Sequence, residues 1–228
     1  MRLDIAQGRV AAMESYDIAL VSDADSWIQP YVEELNARLC GSGHKVSRFY
    51  DFNRQRNYDM AFLLSYSRIV SSDELKRNRH NLVVHESALP RGKGWSPLTW
   101  QILEGKNRIP ITLFEANEKV DAGRIYLQRE LCFCGDELLA ELHEAQGRAT
   151  IELCEEFVAR YPEVLLEARN QEGAESFYPR RTPKDSKIDM EQSLDAQFNL
   201  LRTVDNEKYP AYFERDGQKY ILKIYKER

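Results

Sequence analysis

The chain has 228 residues, 43% of them hydrophobic and 30% charged, an ordinary balance for a globular protein. A formal net charge of -5 speaks against a nucleic-acid binder and against electrostatic attachment to an anionic membrane. No apolar run approaches the roughly 18 residues that span a bilayer.

The four cysteines have no second Cys/His pair at zinc spacing, so no metal site is expected; reduced, buried thiols in a cytoplasmic protein are. Residues 1–16 carry charge throughout and lack an apolar signal core. They read as an N-terminal extension without fixed structure, and residues 1–12 are set aside from the fold.

In chain order, 17–22 (DIALVS) is a short apolar run that predicts a buried parallel strand. Residues 28–40 repeat apolar side chains at helical spacing, and Gly41 and Gly43 stop that helix. Strands follow at 44–50 and 58–66, a short helix capped by Ser71 or Ser72 at 71–78, and a strand at 81–85. A helix is expected at 97–105, strands at 109–116 and 124–133, and a long amphipathic helix at 136–160. Strands alternating with helices predict an α/β fold, a Rossmann-like, mostly parallel sheet with flanking helices.

Beyond residue 165 the composition turns polar. Residues 171–189 read as a linker or surface arm, 191–204 as one helix, and 211–225 as a hairpin turning at Asp216-Gly217. Three regions result: the extension at 1–16, a catalytic α/β domain at 17–165, and a C-terminal arm, helix and hairpin at 166–228. The last is too small for its own core and should pack on the first domain. Neither a G-x-G-x-x-G dinucleotide motif nor a P-loop is present.

His44, His80 and His143 read as structural or solvated. His85 differs. It ends an apolar strand and precedes the rigid segment E-S-A-L-P-R-G-K-G-W-S-P, at the strand end where α/β sheets bind ligands. Asp121 stands in V-D-A-G-R-I, where Gly123 permits a tight turn. A carboxylate that meets a histidine fixes its tautomer and stabilises its cation, but the residues alone leave open whether these two meet.

The stretches H-E-S-A-L-P-R-G-K-G-W-S-P-L-T-W-Q-I-L-E-G (85–105) and I-P-I-T-L-F-E-A-N-E-K-V-D-A-G-R-I-Y-L-Q (109–128) resemble the loops and helix of formyltransferases that use N10-formyltetrahydrofolate. F-Y-P-R-R-T-P-K-D-S-K-I-D and the segment from Phe198 onward resemble the C-terminal part of sugar N-formyltransferases, of the pseudaminic-acid-pathway type. The resemblance implies the formyltransferase fold, His85 and Asp121 as catalytic residues, and a folate pocket along Ser65, Tyr66, Ser67, Ile69, Val120 and Asp121. The co-substrate would be N10-formyltetrahydrofolate, with no metal.

An acceptor amine would attack the formyl carbon, His85 and a second donor would stabilise the oxyanion, and His85 or Asp121 would take the amine's proton. Ser87, Lys93 and Trp95 are expected to face the acceptor, and Arg180 and Arg181 are weighed as further phosphate contacts. The family places an asparagine two residues before the histidine; here that position is Val83, and Asn81 lies one pleat further away. Replacements for its hydrogen bond are Ser65, Ser87 or backbone N–H groups of Gly92–Gly94.

The expected acceptor is a UDP-linked 4-amino-4,6-dideoxy sugar. The alternatives are another amine (an aminoacyl carrier or tRNA), water, or a catalytically inert folate- or nucleotide-binding module. The hairpin's alternating apolar residues suggest a homodimer.

Overall fold

The computed structural model describes residues 14–54 and 57–227. Most of the expected extension therefore lies outside the described residues. Tyr16, placed in the extension by the sequence, is ordered: its ring packs edge-on against Tyr161, centroids 5.2 Å apart.

Six strands form the main sheet: β1 (Asp17–Val21), β2 (Lys45–Phe49), β3 (Met60–Leu63), β4 (His80–His85), β6 (Arg108–Glu115) and β7 (Ile125–Cys132). Their order is β2-β1-β3-β4-β6-β7. The first four run parallel, β6 is antiparallel to β4, and β7 is antiparallel to β6. Only β6 opposes the common direction, so the sheet is mostly parallel, as expected.

Residues on alternate sides of each strand serve different layers. Ile18, Leu20, Phe62 and Leu82 pack under α1 (Gln29–Gly41) and α4 (Leu139–Ala159), with Val32, Leu35, Leu153 and Phe157. Ala19, Val21, Ala61 and Leu63 face Phe52, Val70 and Leu75 on the other side. Leu75 ends α2 (Ser72–Leu75), whose first turn is closed by Glu74 accepting from the backbone N–H and hydroxyl of Ser71, both at 2.8 Å. A short helix α3 (Pro97–Leu103) follows β5 (Lys93–Gly94).

The C-terminal segment differs from expectation in two places. The helix predicted over 191–204 is only α5 (Phe198–Thr203). The Gln197 side chain accepts from Asp189 N–H and donates to the carbonyls of Asp189, Gln192 and Ser193. These local bonds satisfy backbone groups that a helix would otherwise use.

Residues 171–189 are more than a linker. Phe177–Tyr178 forms β8, which pairs in parallel with β5. The hairpin β9 (Ala211–Arg215) and β10 (Gln218–Leu222) turns at Asp216-Gly217. Arg202, fully buried, ties this segment to the sheet by donating to Asn107 Oδ1 at 2.6 Å and meeting Glu137 at 3.5 Å.

Of the cysteines, only Cys154 is buried; Cys40, Cys132 and Cys134 are exposed free thiols, because β7 sits at the sheet edge and Cys40 is on the outer face of α1. No helix among the described residues is long and apolar enough to cross a membrane.

Candidate active site

The connection after β1 runs one way, to β2, and the connection after β3 runs the other way, to β4; ligands of such sheets bind beyond the carboxyl ends of the strands near this reversal. A cavity of about 410 Å³ lies at that edge. Its wall includes Asp23 after β1, residues 63–70 after β3, His85 and Glu86 at the end of β4, Trp95, residues 116–121, and Gln146 and Thr150 from α4.

His85 is buried, and its Nε2 lies 2.8 Å from the carbonyl oxygen of Gly92. A carbonyl only accepts, so Nε2 carries the proton and the lone pair of the neutral ring is on Nδ1. Asp121 Oδ2 stands 3.8 Å from the same Nε2 and accepts from the Gly94 N–H at 2.8 Å. Two residues 36 positions apart thus converge on one edge of the cavity.

The turn that presents Asp121 is tightly specified. Asp121 has φ +50°, and a Cβ added to Gly123 would sit 1.5 Å from the Glu115 carbonyl oxygen, so only glycine fits. Gln171 donates to the carbonyls of Asp121 and Gly123, each at 2.9 Å. The loop after His85 is held by the same C-terminal arm. Ser176 Oγ accepts from Gly92 N–H at 2.9 Å, and the Ser176 and Tyr178 carbonyls accept from Lys93 and Trp95.

Ser65, Tyr66, Ser67, Ile69 and Val120 line the cavity. Ser65 holds φ +49° and meets Ser26 Oγ at 2.8 Å; Tyr66 accepts from Phe52 N–H at 3.1 Å; Ser67 N–H donates to Asp23 Oδ2 at 3.1 Å. Ile69 is 69% exposed at the mouth.

Trp95 lines the same cavity, with the Arg180 guanidinium 4.8 Å from its ring centroid. Arg181 instead lies over Trp100 and donates to the Asp185 carbonyl.

Two expected acceptor contacts are not placed there. Lys93 is buried and its ammonium meets Glu175 at 2.5 Å, away from the cavity, because the β5–β8 pairing covers it. Ser87 is also buried and is not on the cavity wall; its hydroxyl has no hydrogen-bond partner among the described residues.

Of the replacements expected for the missing asparagine, Ser65 lines the cavity with a hydroxyl that accepts from Ser26, whereas Ser87 and the glycine loop do not offer a donor there. All three N–H groups of Gly92–Gly94 already donate to the arm or to Asp121. Asn81 spends its amide on the Leu75 carbonyl and on Asn78. Val83 lines the cavity with an apolar side chain.

Sequence reading missed Glu86 and Gln146. Burial pushes the Glu86 carboxyl above its ordinary range, and the negative charge of Asp121 adds to this, while His85 and Gln146 oppose it. Gln146 and Thr150, one turn apart on α4, were a polar pair within an amphipathic pattern, and that spacing was the available signal. Cys134, Asp136 and the half-buried Glu137 form a separate cluster; Glu137 already accepts from the Cys134 and Gly135 N–H groups.

A family model described as "Formyl transferase" matches residues 19–150, more than half of the chain. The chain belongs to the formyl transferase family. It is 26% identical over 184 residues to a methionyl-tRNA formyltransferase of Thermodesulfovibrio yellowstonii, which covers 78% of this chain but only 58% of that relative's length.

Two solved structures share the fold of this family member. One is a sugar N-formyltransferase from Shewanella sp FDAARGOS_354 (TM-score 0.70, 16% identity, 93% of this chain and 98% of that one). The other is HypX from Aquifex aeolicus in complex with tetrahydrofolic acid (TM-score 0.71, 17% identity, 92% of this chain and 38% of that one).

Proposed function

We propose that this formyl transferase family member moves a formyl group from N10-formyltetrahydrofolate to the amine of a nucleotide-linked amino sugar, of the UDP-linked 4-amino-4,6-dideoxy class. The carrying observation is the convergence of His85 and Asp121 at one edge of the cavity.

The neutral amine attacks the formyl carbon and the carbonyl becomes an oxyanion. His85 Nδ1 takes the proton that the amine loses, and the imidazolium is stabilised by Asp121 and by the Gly92 carbonyl on Nε2. Collapse re-forms the carbonyl and breaks the bond to N10, which takes up a proton and leaves as tetrahydrofolate.

Ser65–Ile69 and Val120 are suited to the flat pterin, chiefly through apolar contact and backbone groups. Trp95 beneath Arg180 offers an aromatic face and a positive charge for a nucleotide diphosphate. Lys93 has no part in this reading. The exposed Tyr220 and Ile221 of β10 support a homodimer through the hairpin. The division at about residue 165 belongs to the same proposal, as does a cytoplasmic location.

An aminoacyl acceptor is the second reading, favoured by the relative named a methionyl-tRNA formyltransferase. One assay separates them. Tetrahydrofolate release is followed with N10-formyltetrahydrofolate alone, with a UDP-linked 4-amino sugar, and with methionyl-tRNA. Release only with the sugar is expected. Release with the tRNA alone, or with no amine present, would overturn the acceptor or the transfer itself.

A further inference from the structure

Acyl transfer builds negative charge on the formyl oxygen, and a preorganised donor aimed at that oxygen is usually the largest single aid to the reaction. The edge of β4 has little left to give. The His85 Nε2–H points to Gly92, the Gly94 N–H to Asp121, and the Gly92 and Lys93 N–H groups to Ser176. Thr150 donates to the Gln146 carbonyl, and Val83 presents only methyl groups. Among the described residues of this wall, the Glu86 carboxyl stands out. Glu86 is 8% exposed, lines the cavity beside His85, and forms no ion pair.

We propose that the Glu86 carboxyl donates the hydrogen bond that polarises the formyl carbonyl, supplying the donor that position 83 lacks; this rests on the formyl-transfer reading above. A carboxyl can donate only when it is protonated. Burial favours that form, and the negative charge of Asp121 from the loop before β7 adds to the effect. His85, its neighbour on β4, opposes it when cationic, and so do the Gln146 amide on α4 and the Glu86 backbone N–H; Thr150 of α4 is uncharged, and His143 stacks on Trp27 nearby. No proton leaves Glu86 during the reaction. It strengthens its bond as the oxyanion forms and relaxes as the carbonyl returns.

The sign of the pH dependence follows. Below its raised pKa Glu86 is a donor; as pH rises through that value the carboxylate repels the developing oxyanion and the rate falls. Glutamine keeps an N–H donor of similar shape at every pH, whereas alanine has none.

The experiment compares Glu86→Gln, Glu86→Ala and the double variant Val83→Asn/Glu86→Ala in the full chain, with thermal melts to verify folding. Binding of a 10-formyl-dideazafolate, a stable analogue that keeps the formyl carbonyl, is measured against the same dideazafolate without the formyl group. Glu86→Ala should lose about tenfold in affinity for the formyl-bearing probe alone, and about 100-fold in kcat/KM where turnover is seen. Glu86→Gln should stay within about fivefold of the parent and lose the alkaline limb. The double variant should recover most of the loss, because position 83 lines the same cavity.

An unaltered Glu86→Ala overturns the proposal, as does a Glu86→Gln that falls as far as Glu86→Ala. A protein that binds both probes, with Glu86→Ala affecting them equally, keeps the formyl-transfer reading and loses only the role of Glu86. A protein that binds neither loses both.

Discussion

The loops after β3 and β4 leave the same edge of the sheet, but they are held in different ways. Ser65, Tyr66 and Ser67 rest on Ser26, Phe52 and Asp23, all earlier in the chain, and much of this wall stays exposed. The loop after β4 is clamped by residues far downstream: Ser176 holds Gly92 from 84 positions away, and Glu175 holds Lys93 from 82. Gln171 braces the turn of Asp121 from the same arm. The wall that carries the proposed reacting groups, His85 and Asp121, is therefore the more firmly held one, and the wall proposed for the flat pterin is the more exposed one. Catalysis rewards this arrangement, because a misplacement of about 1 Å near the reacting atoms can cost about 100-fold.

Removing the proposed reacting groups tests the fixed wall most strongly. His85→Ala and Asp121→Ala should each lower kcat by about 1,000-fold while leaving the melting profile close to that of the parent; a variant at full rate would remove its residue from the site. Gly123→Ala comes next. The methyl cannot coexist with the Glu115 carbonyl, so a loss of about 3 kcal/mol or more in denaturant unfolding is expected, with Asp121 displaced. Unchanged stability would show that this turn is not tightly specified.

Gln171→Leu removes both bonds to the Asp121 turn. About 1 kcal/mol of stability and about tenfold in kcat should go, with the folate KM unmoved. Loss of stability without loss of rate would mean that the arm is only packing.

His143, stacked on Trp27 beside the cavity, gives a pH handle. Burial holds its pKa down to about 4, below the ordinary value near 6.5. Its contribution is therefore complete above pH ~6.5 and is lost as pH falls toward the folded value. Between pH 7 and pH 5 the parent should lose about 1–2 kcal/mol more than His143→Phe, read from urea midpoints. The smallest effect is expected on the freer wall: Ile69→Ala should raise the folate KM a few-fold with kcat unchanged.

Much of the fold was legible because strand and helix periodicity is local. The run Leu82–Val84 ending in His85 announced a buried strand with a polar tip, and the strand end placed the histidine at the ligand edge. Asp121 was legible as a turn residue, but its approach to His85 depends on β6 and β7 running antiparallel, which no local pattern specifies.

The remainder was hidden for the same reason. Lys93 looked like an exposed cation in a glycine loop and is buried only because Phe177–Tyr178 pairs with it. Glu86 carries no local signal of burial, and only the approach of α4 makes it a buried acid. The helix over 191–204 failed because Gln197, a good helix former by propensity, turns its side chain onto the preceding backbone.

The central claim is that His85 and Asp121 move a formyl carbon onto an amine. The direct test is carbon-13 NMR with N10-formyltetrahydrofolate labelled at the formyl carbon and a UDP-linked 4-amino sugar labelled with nitrogen-15. A new formamide carbon coupled to nitrogen-15 should grow in with the parent protein and be nearly absent with His85→Ala or Asp121→Ala. Label recovered as free formate, or appearing on the amine at the same rate in the variants, would contradict the account.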